Sequence, residues 1–504
     1  MTRTLANLVS TPLVLALTLV ASPALGHGGH ALMPGGEPAS PASASSKQGR
    51  TWLAGDHHIH SEFSATYKPD PEKPDAMPTP LFGRDGRYSI KKNAEMARTY
   101  GLAWMVSTDH GGPNHSRINH DFAYPALEDS RRAVPEVLQF FGMELDTPAG
   151  DHSSLIIPLS GQERAQLFDI ESRFSQKEAW PVDPARDQPS RMIEALKVMG
   201  AQPLPPVLFA NHPSRSAPIG SKYGRYTPEE FRNWNDAAPK VSVGMEGAPG
   251  HQAGALKPDG TLDPVGRRGG YAKLSTIGGF DPMTAKLGGL WDAMLGEGRR
   301  WWITATSDSH NNWRDGGNDF WPGEYSKTYV LARRDHGDIL DGLRHGRIFV
   351  TTGDLVSEVH MSAHGVRASK VKAGLGELLT VPRGDDVVIE IRVRDPKGAN
   401  SAKLTPEVRR IDLISGRVTG PAQDRSTDIN SSTQVVRRFT KADWKREGEV
   451  LVMRHRLPKV TEPLYFRLRG TNTDELEPAE DQPGENPWAD LWFYANPIFL
   501  DVKN

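Results

Sequence analysis

The sequence predicts an α/β fold followed by a β-sandwich, and three observations carry that prediction. Across residues 51–347 short apolar runs alternate with helical patterns, the signature of a largely parallel sheet. Beyond Val350 the runs alternate apolar and polar residues with period two, and no long helix separates them. Four short segments, GDHHIHS (55–61), STDH (107–110), ANHPSR (210–215) and SDSHNNW (307–313), set imidazole beside carboxylate or amide at the ends of apolar runs. Strand ends are where α/β domains gather ligands.

Residues 1–26 read as a secretory signal: Arg3 in a short polar start, an apolar run over 8–21, and Ala24-Leu25-Gly26 as a small-x-small cleavage site. The run falls short of the roughly 20 apolar residues that a membrane span needs. A periplasmic or secreted protein without a stable membrane span is expected. Residues 27–50 are rich in Gly, Pro, Ala and Ser and too poor in large apolar residues to pack, so they read as a flexible leader. A solvated tail is the favoured reading; the alternative is that cleavage after Gly26 leaves His27 as an amino-terminal copper ligand with His30 nearby.

In the segment 51–350 the expected strands are 102–107, 137–144, 154–157, 207–211, 241–246, 301–306 and 327–331. The expected helices are 90–100, 189–199, 285–297 and 337–344. An open doubly wound sheet shows the same alternation as a barrel, so closure does not follow from the pattern. In the segment 351–504 the strands expected are 386–395, 408–415, 433–440, 449–457, 464–470 and 491–500, a β-sandwich of about 150 residues. Its role is structural capping of the first domain, or carbohydrate or surface binding.

Composition narrows the chemistry. The 504 residues are 37% hydrophobic and 24% charged, ample for two or three cores, and the formal net charge of −2 gives no argument for a nucleic-acid partner. Cysteine is absent, which excludes disulfides and thiolate ligands. Any metal is left to His, Asp and Glu, a donor set that suits manganese, zinc or iron.

On a strand, side chains two apart share a face, so His58 and His60 can reach one ion while His57 and Ile59 point the other way. Asp308 and His310 repeat that spacing after the apolar run 301–306. Between them His110, Glu144 and His212 end three further runs, and Pro213 stops the strand beside His212. Each alone is more often a core or surface residue than a ligand. Five strand ends on the side where active sites sit point to one metal centre. Arg215 can bind a phosphoryl oxygen bidentately or form a surface ion pair. Glu246 and His251 lie near another strand end and either shape a pocket or are solvated, and Trp104, Trp291, Trp301 and Trp302 most simply fill core.

Taken in order, DHHIHS, STDHGG, GMELDTPAGDH, ANHPSR and SDSH resemble the motif set of the polymerase-and-histidinol-phosphatase (PHP) superfamily over about residues 52–350. The trailing β-domain ending in NPIFL, with GRIFVTTGD at the junction, resembles the carbaryl-hydrolase-type branch. The resemblance implies a distorted (β/α)7 barrel with two or three divalent ions held by His58, His60, His110, Glu144, His152, His212, Asp308 and His310, Glu144 bridging two of them. The family's further acid or imidazole, five or six residues after H-x-H, falls here on Ala65 and Thr66. Glu62, Asp70 or a water replaces it, or the site holds two ions.

A water shared by two ions has its pKa lowered from 15.7 toward roughly 7, and the ions polarise the bond under attack. The catalytic candidates are Asp308, to orient or deprotonate that water, Glu144 and Arg215, with Asp109 and Asp56 expected behind the ligands to fix imidazole tautomers. Two classes of function stay open. One is a metal-dependent hydrolase of small esters, a phosphoesterase first and a carbamate, carboxyl-ester or amide hydrolase second. The other is a non-catalytic metal- or ligand-binding protein. Oligomeric state does not follow from the sequence.

Overall fold

Among the described residues, alternating apolar runs become two large sheets around two main cores. The computed structural model describes residues 49–503 except Ala272, Ala368 and Ser369. The signal segment and the His27/His30 site lie outside the described residues, as does all but the last two residues of the leader. No helix among the described residues is long and apolar enough to cross a membrane.

The site is carried by β1 (Thr51–Asp56), β2 (Trp104–Ser107), β3 (Leu138–Asp146), β4 (His152–Ile156), β5 (Val207–Ala210), β6 (Ser242–Ala248) and β7 (Trp302–Ala305). They lie side by side in that order. Pairing is parallel except on both flanks of β4, which runs antiparallel to β3 and β5. The expectation of a largely parallel sheet is therefore corrected to a mixed one, because a five-residue turn over 147–151 and not a helix links β3 to β4. On the other side of β1 follow β8 (Ser326–Ala332) and β9 (Ile348–Thr352), both antiparallel.

The free edge of β7 turns toward these strands and is satisfied by side chains. Thr328 Oγ1 bonds the amide and carbonyl of Ala305 at 2.8 Å each, and the Asn496 amide bonds Ile303 at 3.0 and 3.1 Å. A parallel bridge between Ile59 and Ser309 joins the segments that leave β1 and β7.

Helices cover the sheet where their apolar spacing allows. In α1 (Ile90–Thr99) Ser89 caps Lys92 N, and Ile90, Asn93, Ala94 and Ala97 are buried at the spacing of one helix face. Then come α2 (Tyr124–Ala133), α3 (Glu163–Phe174), α4 (Pro189–Gly200), α5 (Pro228–Ala237), α6 (Leu290–Gly296) and α7 (His336–Arg344). The helix expected over 285–297 is two pieces, Pro282–Ala285 and α6, because Gly288 has φ +71° and breaks the run.

The same sheet continues past β9 into the C-terminal strands. These are β10 (Glu358–Gly365), β11 (Leu378–Pro382), β12 (Asp385–Arg394), β13 (Arg410–Arg417), β14 (Gln434–Phe439), β15 (Val450–Val460), β16 (Leu464–Thr471) and β17 (Trp492–Lys503). Among the described residues, β17, β16, β13 and β14 extend the large sheet to 14 strands, with β11 pairing β17. β10, β12 and β15 form the middle of a separate antiparallel sheet. One core packs beneath β1–β7 and holds Trp104, Trp291, Trp301 and Trp302, as expected of those residues. A second lies between the two C-terminal sheets, with Val359, Ile389, Leu413, Phe466 and Phe493.

Candidate metal centre

Parallel strands release their chains at one edge, and the candidate ligands leave from that edge. Asp56 ends β1, and its carboxylate accepts from His58 N and Ser307 N, both at 3.0 Å. It ties the ends of β1 and β7 together through their backbones. Asp56 was expected to fix an imidazole tautomer; it bonds no imidazole, which corrects that role. Beyond it the two-residue alternation holds. His57 turns away, stacked on Phe209 with Nε2 2.8 Å from Thr304 Oγ1, while His58 and His60 share the other side.

The remaining donors converge on Glu144 and Asp308. Glu144 Oε1 lies 3.0 Å from each of His58 Nε2, His152 Nδ1 and His212 Nε2, and its Oε2 lies 3.5 Å from His60 Nε2 and 3.8 Å from His110 Nε2. Asp308 Oδ1 lies 3.1 Å from His58 Nε2, 3.2 Å from His60 Nε2 and 3.4 Å from His310 Nδ1. His152 joins from the start of β4 because that strand is antiparallel, which sets its first residue opposite Asp146 at the end of β3. The structure thus brings all eight expected ligands together.

These donors fit metal ions better than they fit one another. Around an ion bound at 2.0–2.1 Å in a tetrahedron, neighbouring donors stand about 3.4 Å apart. His60 Nε2, His152 Nδ1 and Asp308 Oδ1 are buried, lie within 3.0–3.5 Å of opposite partners, and make no hydrogen bond. Buried polar atoms are nearly always bonded. Three that are aimed at a common centre without bonding mark a place for cations. The groups His58/His60/Glu144, Glu144/His152/His212, His60/His110/His310 and His251/His310/Asp319 can each hold one.

A layer of acids holds the imidazoles in place. Glu246 Oε1 lies 2.6 Å from His58 Nδ1, and its Oε2 accepts from His212 N at 2.6 Å. Asp109 accepts from Ser61 N, Ser61 Oγ and Ser64 Oγ, and Ser64 Oγ lies 2.9 Å from His60 Nδ1. Asp109 therefore sits behind the ligands as expected, acting through a serine. Arg215 Nη1 bonds Asp308 Oδ2 at 3.0 Å, and Nη2 contacts His212 Nε2. Arg215 is an inward ion pair and not a surface one.

Three residues of the centre hold strained backbone. His212, His251 and Asp308 have φ of +31°, +55° and +47°, a region that L side chains rarely adopt and that costs on the order of 1–3 kcal/mol each. The surroundings hold them there: Glu246 grips His212 N, and Gly250 lies so close to Asp308 that an added Cβ would stand 2.1 Å from its Cβ.

Charge is unevenly shared. Burial opposes the charged form of Glu144, yet His152 and His58 hold it well below the usual carboxylate range. Burial likewise opposes ionisation of Asp308, which His251 and His58 hold well below its ordinary value. Burial resists protonation of His58, and Asp308 and Glu144 outweigh it, whereas burial and His310 keep His60 well below its ordinary value. The centre sets two ionised carboxylates among a ring of imidazoles, the oxygen and nitrogen donors that suit divalent cations.

One residue at the centre escaped the sequence reading, and two more, Glu246 and His251, were read only as pocket-shaping or solvated. Asp85 Oδ2 lies 3.0 Å from His110 Nε2 and 3.7 Å from His310 Nε2. Glu62 and Asp70 were the expected replacements for the acid missing at Ala65; Asp70 instead caps an exposed turn at Glu72 N, and the acid that meets His110 and His310 is Asp85. His251 Nε2 lies 3.0 Å from Asp308 Oδ2, with Nδ1 2.5 Å from Asp319. Glu246 and His251 are thus bound in the centre and not solvated. The glycines flanking Asp85 and His251, Gly83, Gly86 and Gly250, were the sequence signal of loops that approach closely.

No protein family and no curated protein matches the sequence. Among solved structures the chain is similar to one described as Endonuclease Q in complex with a 27-mer duplex substrate carrying an abasic lesion at the active site. The identity is 14% and the TM-score 0.30, over 59% of this chain and 56% of that one. The chain therefore spans just over half of that protein's length. The histidine and carboxylate clusters are compatible with a PHP-like centre, and the carbaryl-hydrolase-type branch finds no support.

Proposed function

We propose that the protein is an exported metal-dependent hydrolase of small phosphate esters. The observation that carries this reading is the set of buried, unbonded donors that converge on Glu144 and Asp308. We read β1 to β7, with the Ile59–Ser309 bridge and the side-chain-capped edge of β7, as a distorted seven-stranded barrel, and the two C-terminal sheets as a sandwich behind it. Export rests on the pattern of residues 1–26.

Divalent ions bound at this centre supply acidified water and polarise the scissile bond. The chain's own residues do the rest. Asp308 and Glu144 stay ionised and accept a proton or orient a nucleophile at their inward oxygens. Glu246 and the Asp109–Ser64 pair fix His58 and His60. Arg215, 23% exposed, presents a guanidinium beside Asp308 and can take a non-bridging oxygen of an anionic ester. That cation favours a phosphate ester over a neutral carbamate or carboxyl ester.

The test is turnover of p-nitrophenyl phosphate mono- and diesters, carboxyl esters and carbamates by manganese- or zinc-loaded protein, with and without chelator. The reading predicts chelator-sensitive hydrolysis of a phosphate ester, lowered on the order of 10²-fold in kcat/KM by Arg215→Ala. Turnover of carboxyl esters or carbamates alone would favour the neutral-substrate reading. No chelator-sensitive turnover at all would leave a binding protein.

A further inference from the structure

Asp85 reaches the centre from an arm whose attachments leave its carboxylate little freedom. Glu62 N donates to Tyr88 O at 2.8 Å, Gly83 N to Glu62 O at 2.9 Å and Arg87 N to His310 O at 3.1 Å. Tyr88 Oη bonds Asp315 at 2.6 Å and receives Asn312 N at 3.1 Å, anchoring the arm to the loop that carries His310. Gly86 lies so near the H-x-H segment that an added Cβ would stand 2.0 Å from Ser61 O. Five hydrogen bonds and one glycine contact thus deliver a carboxylate between two imidazoles that come from different strands, β2 and β7.

Exposure divides the donors into two layers. The side chains of His58, His60 and His212 are fully buried, and Glu144 and Asp308 are 1% exposed; Asp85 is 33% exposed, with His110 and His310 at 18% and 16%. Asp85 Oδ2, His110 Nε2 and His310 Nε2 face one another at 3.0 and 3.7 Å on the solvent side. Three protein donors of this type, with a further position open, are the usual complement of a catalytic ion.

On the reading that the centre holds metal, we infer that Asp85 is a ligand that this chain supplies from a separate arm, completing an outer metal position with His110 and His310. The ion held there is the exchangeable one. Its ligands meet solvent, whereas the ions at Glu144 are enclosed, so a chelator in solution reaches the outer ion first. The competing account is a plain ion pair between Asp85 and His110.

Elemental analysis and competition titration with a chromophoric chelator, on the full chain loaded with zinc or manganese, separate these accounts. The wild-type chain should release its ions in two steps, the first at a chelator concentration about tenfold or more below the second. Asp85→Asn keeps the size of the side chain and removes its charge; it should lack one equivalent of metal and the first step, with the second unchanged. Gly86→Ala displaces the arm without altering a donor and should show the same loss. Wild-type equivalents and a wild-type isotherm in folded Asp85→Asn would overturn the inference and leave the proposed function standing. A wild-type chain that binds no divalent ion would overturn the proposed function itself.

Discussion

Glu246 touches both ends of the ligand set without being one of its inward donors. Its two oxygens lie 2.6 Å from His58 Nδ1 and 2.6 Å from His212 N, so His58 keeps its Nε2 lone pair for the centre and His212 keeps its left-handed backbone. Glu246→Gln should weaken metal binding about 10- to 100-fold with the chain still folded, measured by competition titration; wild-type affinity would contradict the role. At this scale the sequence was legible where chemistry follows strand periodicity. His58 and His60, and Asp308 and His310, are two apart and emerge together. Asp85 was not legible as part of the site, and Glu246 and His251 only as pocket-shaping or solvated residues, because their placement depends on contacts with segments up to about 225 residues away, a property of packing and not of local spacing.

The elements were legible to the extent that their buried faces are apolar. Strands such as β5, VLFA, and β7, WITA, are buried at every position and were expected within one or two residues. Helices α3 and α5 were missed because their inward faces include Glu163, Glu171, Arg232 and Asn235, which blur the apolar period. The polar interior of α3 has a measurable consequence. Glu171 bonds His115 Nδ1 at 2.7 Å, and His115 Nε2 lies 3.0 Å from Phe63 O, which braces the segment after H-x-H. Burial resists protonation of His115, and Glu171 outweighs it, raising the imidazole to about 9. Because the folded value lies above the unfolded one, the stabilisation is complete below pH about 6.5 and is lost as pH rises through about 9. Glu178, raised by burial and by Glu171 to about 7, loses its own contribution in a lower window. Thermal melts should therefore show the advantage of wild type over His115→Gln shrinking between pH 6.5 and 9.5. A difference constant over that range would contradict the pairing.

At the scale of the whole molecule, two cores share one sheet, and buried ion pairs tie them together. Asp292 on α6 accepts from Arg467 Nε and Nη2 at 2.7 Å each, from Tyr465 Oη at 2.9 Å and from Gly288 N at 2.7 Å, joining a helix of the first core to β16. Asp292→Asn leaves a buried guanidinium uncompensated and should cost about 3–5 kcal/mol, read as a lower denaturation midpoint; a loss below about 1 kcal/mol would show that the pair is not what couples the halves. The alternation of strands and helices announced the α/β class, but not the antiparallel β4, nor a sheet that runs on into the C-terminal strands. Both are set by pairings between distant strands, to which local periodicity is blind.

The convergence of imidazoles on Glu144 and Asp308 is the claim on which the rest depends, and anomalous diffraction from crystals of the manganese- or zinc-loaded chain tests it most directly. The account predicts at least two peaks, each within about 2.0–2.2 Å of donors from the set His58, His60, Glu144, His152, His212 and Asp308. Loaded crystals that diffract well and show no anomalous peak among those side chains would contradict it.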